Sequence, residues 1–412
     1  MKYGCIGRKL PHSFSKIIHD MIGKYDYELC EIEPENLDAF MRGRGFCGIN
    51  VTIPYKEAVI PYLDDVDERA RSIGAVNTVV KRGDRLIGYN TDYPGMLALA
   101  ERTGITLAGK KVLILGTGGT SKTALHVCLD AGARSVVRVS RSARDGAVTY
   151  ADAEELHADA QVIINTTPCG MFPNVTQEPL IDLSRFTELT GVLDAVYNPL
   201  DSMLVQRARE AGVSAAGGLF MLVSQAVYAS EYFTGEKAED IAEDIFGKIL
   251  REKKNTVLFG MPSSGKTTVG RMLAEATGRE FIDIDEYIEK ISGKSPAEII
   301  RNSGEETFRR AESEAVYALA PLQGKVIACG GGTVLRKENV RALRLNGELL
   351  WLDRPLGELT PTDNRPLADD MKKMEELYRA RKDIYKASCD RRIDGSGSAE
   401  AVLARITGEE NK

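Results

Sequence analysis

The sequence predicts an α/β fold with parallel sheets, arranged as an N-terminal α/β part, a dinucleotide-type α/β part and a C-terminal nucleotide-binding part. Three observations predict it. The apolar run Val257-Leu258-Phe259 flows into Gly260-Met261-Pro262-Ser263-Ser264-Gly265-Lys266-Thr267, a G-x-x-x-x-G-K-T loop, and an amphipathic segment follows from Val269. A buried strand, a turn whose N–H groups can cradle phosphates and a helix start are what such a loop requires. Earlier, Lys111-Val112-Leu113-Ile114-Leu115 leads into Gly116-Thr117-Gly118-Gly119-Thr120-Ser121 and another helical segment. Around both, short apolar runs alternate with segments of helical period, the pattern of βαβ units.

At 412 residues the chain has room for two or three domains, each with its own core. A net charge of −6 offers no broad basic field, so neither nucleic acid nor an anionic membrane is an expected partner. The 7 cysteines show no C-x-x-C spacing, and reduced thiols are expected rather than disulfides or a metal site. No apolar run approaches the roughly 18 residues of a membrane span. The opening MKYGCIGRKL has no apolar leader core, so a cytoplasmic location is expected. The oligomeric state, monomer or homodimer, stays open.

In the first hundred residues Gly4-Cys5-Ile6-Gly7 follows a short strand start, and Leu10-Pro11-His12-Ser13-Phe14-Ser15 gives a polar turn before a helix over 16–21. Ser13 alone would read as a helix cap. Gly48-Ile49-Asn50-Val51-Thr52-Ile53-Pro54-Tyr55-Lys56 reads as a strand entering a helix, with Thr52 and Lys56 four apart at the strand end. Gly74-Ala75-Val76-Asn77-Thr78 and Gly88-Tyr89-Asn90-Thr91-Asp92 each place an amide or carboxylate just past an apolar strand, where open α/β sheets hold ligands. Singly, Lys56 reads as a solvated charge and Asp92 as a cap. Together the two serines, Thr52, Lys56, Asn77 and Asp92 form one constellation.

HSFS, NVTIPYK, GAVNT and GYNTDYPG, in this order and spacing, resemble the shikimate dehydrogenases. The resemblance implies a pocket for a polyhydroxylated cyclohexene carboxylate. Ser13 and Ser15 would hold its carboxylate, Thr52, Asn77 and Asp92 its ring hydroxyls, and Lys56 with Asp92 would be the catalytic pair. Reducing a ketone by hydride develops an alkoxide, which a cationic lysine can stabilise and protonate. Lys16 and Asp20 stand where the family usually has proline and asparagine.

The turn Gly116-Thr117-Gly118-Gly119 lies between a strand and a helix, as a dinucleotide-binding turn requires. The next strand, 135–139, ends at Ser140-Arg141-Ser142, with Arg144 beyond, where an NAD enzyme would carry an acid. An arginine there accepts a 2′-phosphate, which favours NADP, although Arg141 also reads as a solvated loop charge. Val162–Pro168 and Val192–Pro199 repeat the strand-then-turn pattern and predict a doubly wound parallel sheet. With Gly217–Ala226 they too are similar to the dehydrogenases, which implies Tyr197 and Gln225 facing substrate and Met221 facing the nicotinamide. By spacing alone, Met221 and Gln225 share a helical face where core packing is the usual role. The junction 247–255 is charged and helical in pattern, unlike a flexible linker. The expected parts are 1–100 with return helices at 223–250, then 101–222, then 254–412.

In the last part, Phe281-Ile282-Asp283-Ile284-Asp285 is expected to end a strand with both acids on one face, unless either caps a helix. Arg309 and Glu312 sit three apart on a helix, a spacing usual for surface pairs. Gly330-Gly331-Gly332 after a strand suggests a ligand approaching the backbone closely. GMPSSGKTT, FIDIDEYIE, GEETFRRAE, CGGGTV, NRPL and RKDIY resemble the shikimate kinases over about 254–412. That implies ATP and Mg²⁺, with Gly260, Gly265, Lys266, Thr267 and Thr268 around the phosphates, and Thr267 and Asp283 on the metal, Asp283 in its outer sphere. Asp285 would accept a hydrogen bond from the attacking hydroxyl. Arg309, Gly331, Gly332 and Arg381 would hold shikimate, and Arg365 would come in from a lid. Ser263 stands where a glycine is common, and 353–365 is short for a full lid.

The combined expectation is a bifunctional enzyme that reduces 3-dehydroshikimate with NADPH and then phosphorylates shikimate at its 3-hydroxyl. Three alternatives stay open: a quinate-preferring dehydrogenase, a kinase for another polyol, and a non-catalytic sensor of NADP and ATP.

Overall fold

The computed structural model describes residues 1–10, 14–143, 146–175, 178–238, 241–360 and 371–408. Ser13, Arg144 and Arg365 lie outside the described residues. The chain divides into two compact units, Met1–Ile249 and Leu250–Lys412.

The first unit holds two sheets. In the first, β1 (Tyr3–Gly7), β2 (Tyr27–Glu31), β3 (Gly48–Val51), β4 (Asp65–Val66), β5 (Thr78–Arg82) and β6 (Arg85–Tyr89) run in the order β2-β1-β3-β5-β6-β4. β5 is antiparallel to β3 and to β6, while β1 is parallel to β3. This reversal corrects one expectation. Asn77 precedes its strand rather than following it, and because β5 runs backwards its entry lies at the same edge as the exits of β3 and β6. The segment after Val51 passes through turns to a short 3₁₀ helix, Ile60–Tyr62, rather than into an α-helix.

The second sheet is parallel throughout: β7 (Lys111–Leu115), β8 (Ser135–Ser140), β9 (Val148–Thr149), β10 (Val162–Asn165), β11 (Gly191–Asp194) and β12 (Ser214–Ala216), ordered β12-β11-β10-β7-β8-β9. Strand alternation divides its side chains between two cores. Val112 and Ile114 of β7 pack with Met96, Leu99, Val127 and Phe220, whereas Leu113 and Leu115 pack with Ala153, Val192 and Leu204. The helix Leu219–Thr234 serves both sheets, since its Phe220 and Met221 join the first of these cores and its Phe233 packs with Cys5 and Tyr27.

Lys254 alone separates the helix Ala242–Lys253 from β13 (Asn255–Phe259). With β14 (Phe281–Asp283), β15 (Val326–Ala328), β16 (Gly347–Asp353) and β17 (Arg391–Asp394) it forms a parallel sheet ordered β14-β15-β13-β16-β17. β14 stops at Asp283, and Ile284 opens the helix Ile284–Ser292. Asp285 is therefore helical, not the end of a strand, because Asp283 caps that helix by accepting a hydrogen bond from the Asp285 N–H at 3.0 Å. Among the described residues, no helix is long and apolar enough to cross a membrane.

Candidate active sites

In the first unit the edge shared by β1, β3, β5 and β6 opens into a cavity of about 170 Å³. Ser15, at the start of the helix Ser15–Ile22, lines it with Thr52, Lys56, Asn77, Asp92, Tyr197, Met221 and Gln225. Lys56 reaches from the turn after β3 and Asp92 from the first turn of the helix Asp92–Thr103; their Nζ and Oδ2 lie 2.5 Å apart. Asn77 is held firmly. Its Oδ1 accepts from the Thr91 N–H at 2.7 Å, and its Nδ2 donates to Gln225 Oε1 at 3.4 Å. Burial pushes the Tyr197 phenol up to about 12, which keeps it a neutral hydrogen-bonding group.

A second cavity, about 1030 Å³, adjoins the first and shares Ile53, Lys56, Thr120 and Thr166–Pro168 with it. Gly116, Gly118 and Gly119 line it together with Ser140, Arg141 and Ser142. Gly116 has φ +115°, and a Cβ there would stand 2.7 Å from Thr166 Oγ1, so only glycine fits this turn. The helix Gly119–Asp130 presents its N-terminus to this cavity, a favourable seat for a pyrophosphate. Arg141 is exposed at its rim, able to meet a 2′-phosphate.

Several contributors escaped the sequence reading. Asn50 lines the smaller cavity and accepts from Tyr27 Oη at 2.7 Å. Tyr150 and Asn174 line the larger one. Asp194, fully buried, accepts from Ser202 Oγ at 2.5 Å, Asn165 Nδ2 at 2.8 Å and the Val196 N–H at 2.9 Å, bracing the turn that carries Tyr197. Burial raises its carboxyl to about 6 despite those bonds. A strand-end aspartate followed by a turn was the available signal.

In the second unit, Gly260 and Gly265 bound the phosphate loop, and Lys266, Thr267 and Thr268 open the helix Lys266–Thr277. Lys266 Nζ donates to the Met261 carbonyl at 2.7 Å and the Gly260 carbonyl at 3.2 Å, which holds the ammonium inside the loop. Thr267 Oγ1 donates to Asp283 Oδ2 at 2.8 Å. Two hard oxygen donors side by side at the phosphate loop fit Mg²⁺, which keeps much of its coordination for water and phosphate oxygens. Asp283 is thus both cap and candidate metal partner.

Arg309 and Glu312 are not a surface pair. Glu312 is fully buried, and its Oε2 accepts from Arg309 Nη1 at 2.8 Å while its Oε1 accepts from Thr333 Oγ1 at 2.6 Å. Burial opposes the Arg309 charge, but Glu312 and Glu305 more than offset it and raise the guanidinium above its ordinary pKa. The close approach expected at the three glycines is made by this chain itself. A Cβ on Gly332 would stand 2.2 Å from Arg309 Nη1, and one on Gly331 3.2 Å from Arg381 Nη1. Arg381 Nη1 also donates to the Gly331 carbonyl at 3.1 Å, and Tyr385 Oη donates to the same oxygen. The structure therefore brings Arg309, Gly331, Gly332 and Arg381 together, with a Cβ on the adjoining Gly330 3.3 Å from Asp285 Oδ1.

Fold and sites define a reductase-type pair of α/β lobes joined in sequence to a phosphate-loop kinase. Residues 5–79 match the shikimate dehydrogenase substrate binding domain, and residues 262–409 match shikimate kinase. The shikimate dehydrogenase (NADP(+)) of Geobacillus kaustophilus is 40% identical over 256 residues, covering 57% of this chain and 92% of that protein. Among solved structures, shikimate dehydrogenase 1 from Peptoclostridium difficile has 33% identity and a TM-score of 0.56, covering 60% of this chain and 98% of its own. A chorismate mutase/shikimate 5-dehydrogenase fusion protein from Clostridium acetobutylicum matches with 33% identity and a TM-score of 0.56, covering 60% and 96%. The chain belongs to the shikimate dehydrogenase family through its first unit and carries a shikimate kinase domain in its second, as a bifunctional enzyme of the shikimate pathway that uses NADP and ATP with Mg²⁺.

Proposed function

We propose that the two sites act on one ring acid in succession. The first reduces 3-dehydroshikimate to shikimate, and the second transfers the ATP γ-phosphoryl group to the 3-hydroxyl. The Lys56–Asp92 pair carries this reading, because Lys56 lines the two adjoining cavities described above and so stands where a ketone would meet a nicotinamide.

NADPH supplies the hydride. As it arrives at the carbonyl carbon, the Lys56 ammonium stabilises the growing alkoxide and gives it a proton, while Asp92 holds the ammonium in place. Ser15, with Ser13 beside it in sequence, holds the ring carboxylate. Thr52, Asn77 and Asp92 receive the ring hydroxyls, Tyr197 and Gln225 close the substrate side, and Met221 packs against the nicotinamide. Ser140, Arg141, Ser142 and Arg144 select the 2′-phosphate.

In the kinase site Lys266 would meet the outer phosphates, Thr267 and Asp283 would hold Mg²⁺, and Asp285 would orient the attacking hydroxyl. Arg309 and Arg381 pair with the ring carboxylate above Gly331 and Gly332, and Arg365 neutralises charge on the transferred group. Phosphoryl transfer needs positioning and charge neutralisation more than covalent help, and these groups supply both. The parts assigned to these roles are 1–100 with 223–250, 101–222 and 254–412, in a cytoplasmic enzyme.

Turnover of 3-dehydroshikimate with NADPH, measured beside NADH and beside quinate oxidation with NADP and NAD, tests the first half. Faster turnover of quinate with NAD than of shikimate with NADP would replace this reading with the quinate one.

A further inference from the structure

The helix that opens the dinucleotide site also touches the lysine of the substrate site. Three hydroxyls lie in the first turns of Gly119–Asp130. Ser121 Oγ donates to the Gly116 carbonyl at 2.7 Å, and Thr123 Oγ1 donates to the Gly119 carbonyl at 3.2 Å, so both bond back to their own segment. Thr120 does otherwise. Its Oγ1 lies 3.5 Å from Lys56 Nζ, and it lines both cavities where they meet.

The contact belongs to a seam. A Cβ on Gly119 would stand 3.5 Å from both Cβ and Cδ of Lys56, so the helix start packs along the lysine stem. Lys122 Nζ lies 2.7 Å from Glu57 Oε2, and Asn90 Nδ2 donates to Thr123 Oγ1 at 3.2 Å. The first turns of this helix thus meet the substrate lobe at Lys56, Glu57 and Asn90.

We propose that Thr120 is a positioning residue for ketone reduction, acting through Lys56; the proposal rests on the ketone-reduction reading above. An ammonium carries three N–H donors. Asp92 Oδ2 takes one at 2.5 Å, Thr120 Oγ1 lies at the long end of hydrogen-bond distance, 3.5 Å, from the ammonium to take a second, and the third is left for the cavity that Lys56 lines. With Asp92 alone the ammonium can still rotate and swing about one bond. With a second acceptor on the other lobe its directions are narrowed, and the helix N-terminus that would receive the pyrophosphate is linked to the group that protonates the alkoxide.

The test uses the full chain with Thr120→Val, which keeps the shape and removes the hydroxyl, and Thr120→Ser, which keeps the hydroxyl. Thr120→Ala repeats it without added apolar bulk. The expected result for Thr120→Val and Thr120→Ala is a fall of about tenfold in kcat for 3-dehydroshikimate reduction, the scale of one hydrogen bond to a charged group, with KM for NADPH within about twofold. Thr120→Ser should return kcat to within about threefold of the parent. An unchanged thermal unfolding transition of the first unit, Met1–Ile249, reports that the variants are folded where Thr120 lies. An unchanged kcat in Thr120→Val and Thr120→Ala would overturn the proposal, as would a loss confined to KM or a loss equally large in Thr120→Ser. The parent is assayed alongside. If the parent itself fails to reduce 3-dehydroshikimate, the underlying reading falls, whereas an active parent with indifferent variants sinks only the role of Thr120.

Discussion

Lys56 Nζ and Asp92 Oδ2 meet at 2.5 Å from opposite sides of a sheet edge, one in the turn after β3 and the other in the first helical turn after β6. Their side chains are only 14% and 10% exposed, so the charges act on each other and on a bound ring with little solvent screening. Replacing Lys56 by alanine should lower ketone reduction by about 10³-fold, within the range for loss of a general acid. Shikimate phosphorylation should persist, and Lys266→Ala should do the reverse. Either change silencing both activities in a folded protein would contradict independent sites.

Arg141 stands at the rim of the larger cavity beside Ser140 and Ser142. Arg141→Ala should raise KM for NADPH about tenfold, one charge-assisted phosphate contact, and leave KM for NADH within about twofold. Equal changes for the two cofactors would place the 2′-phosphate elsewhere.

His19 makes the first unit sensitive to acid. It lies in the helix Ser15–Ile22; its ring stacks on Tyr27 at 3.8 Å and its Nδ1 meets Tyr25 Oη at 2.7 Å. Burial lowers its pKa from 6.5 to about 3. The folded unit therefore holds the neutral ring while an unfolded chain would protonate below about 6.5. This contribution is complete above that pH and is lost as pH falls, by about 1.4 kcal/mol for each pH unit towards 3. Denaturant titrations of the parent and His19→Gln between pH 7 and 4 should show a shallower pH slope in the variant. Parallel slopes would rule the histidine out.

Glu312 is the buried anchor of the Arg309 and Thr333 side chains in the second unit. Glu312→Ala would leave the Arg309 guanidinium, only 11% exposed, without its buried partner. The transition of the second unit should drop by about 3 kcal/mol, the scale for breaking a buried pair, and shikimate phosphorylation should fall with it. A change under about 1 kcal/mol would mean that Glu305 alone can hold the arginine.

Ser263 has φ +62° in the phosphate loop, a left-handed conformation that side chains resist. Ser263→Gly removes that strain at the expense of a more flexible unfolded chain. Thermal unfolding should therefore show a gain of up to about 1 kcal/mol for the second unit, and a clear loss would mean that the serine side chain stabilises the loop.

The strands and both glycine loops were legible because apolar runs and invariant turn geometry are local properties of the chain. β7, for example, is a continuous apolar segment followed by a turn only Gly116 can make. What depended on partners far along the chain was less legible. The spacing of Arg309 and Glu312 looks like a surface pair, and only Thr333, 21 positions beyond Glu312, shows that the carboxylate is buried. The edge position of Asn77 came from β5 running antiparallel, which its own residues do not encode. Asp285 became helical because one carboxylate, Asp283, caps early. Thr120 reads as an ordinary helix residue until Lys56 is seen beside it.

The most direct test of two sites serving one ring acid is a single incubation of the purified chain with 3-dehydroshikimate, NADPH and MgATP, with the products identified by mass. NADPH oxidation together with shikimate 3-phosphate is the expected result. Shikimate accumulating without phosphate, or 3-dehydroshikimate left intact while NADPH persists, would contradict it.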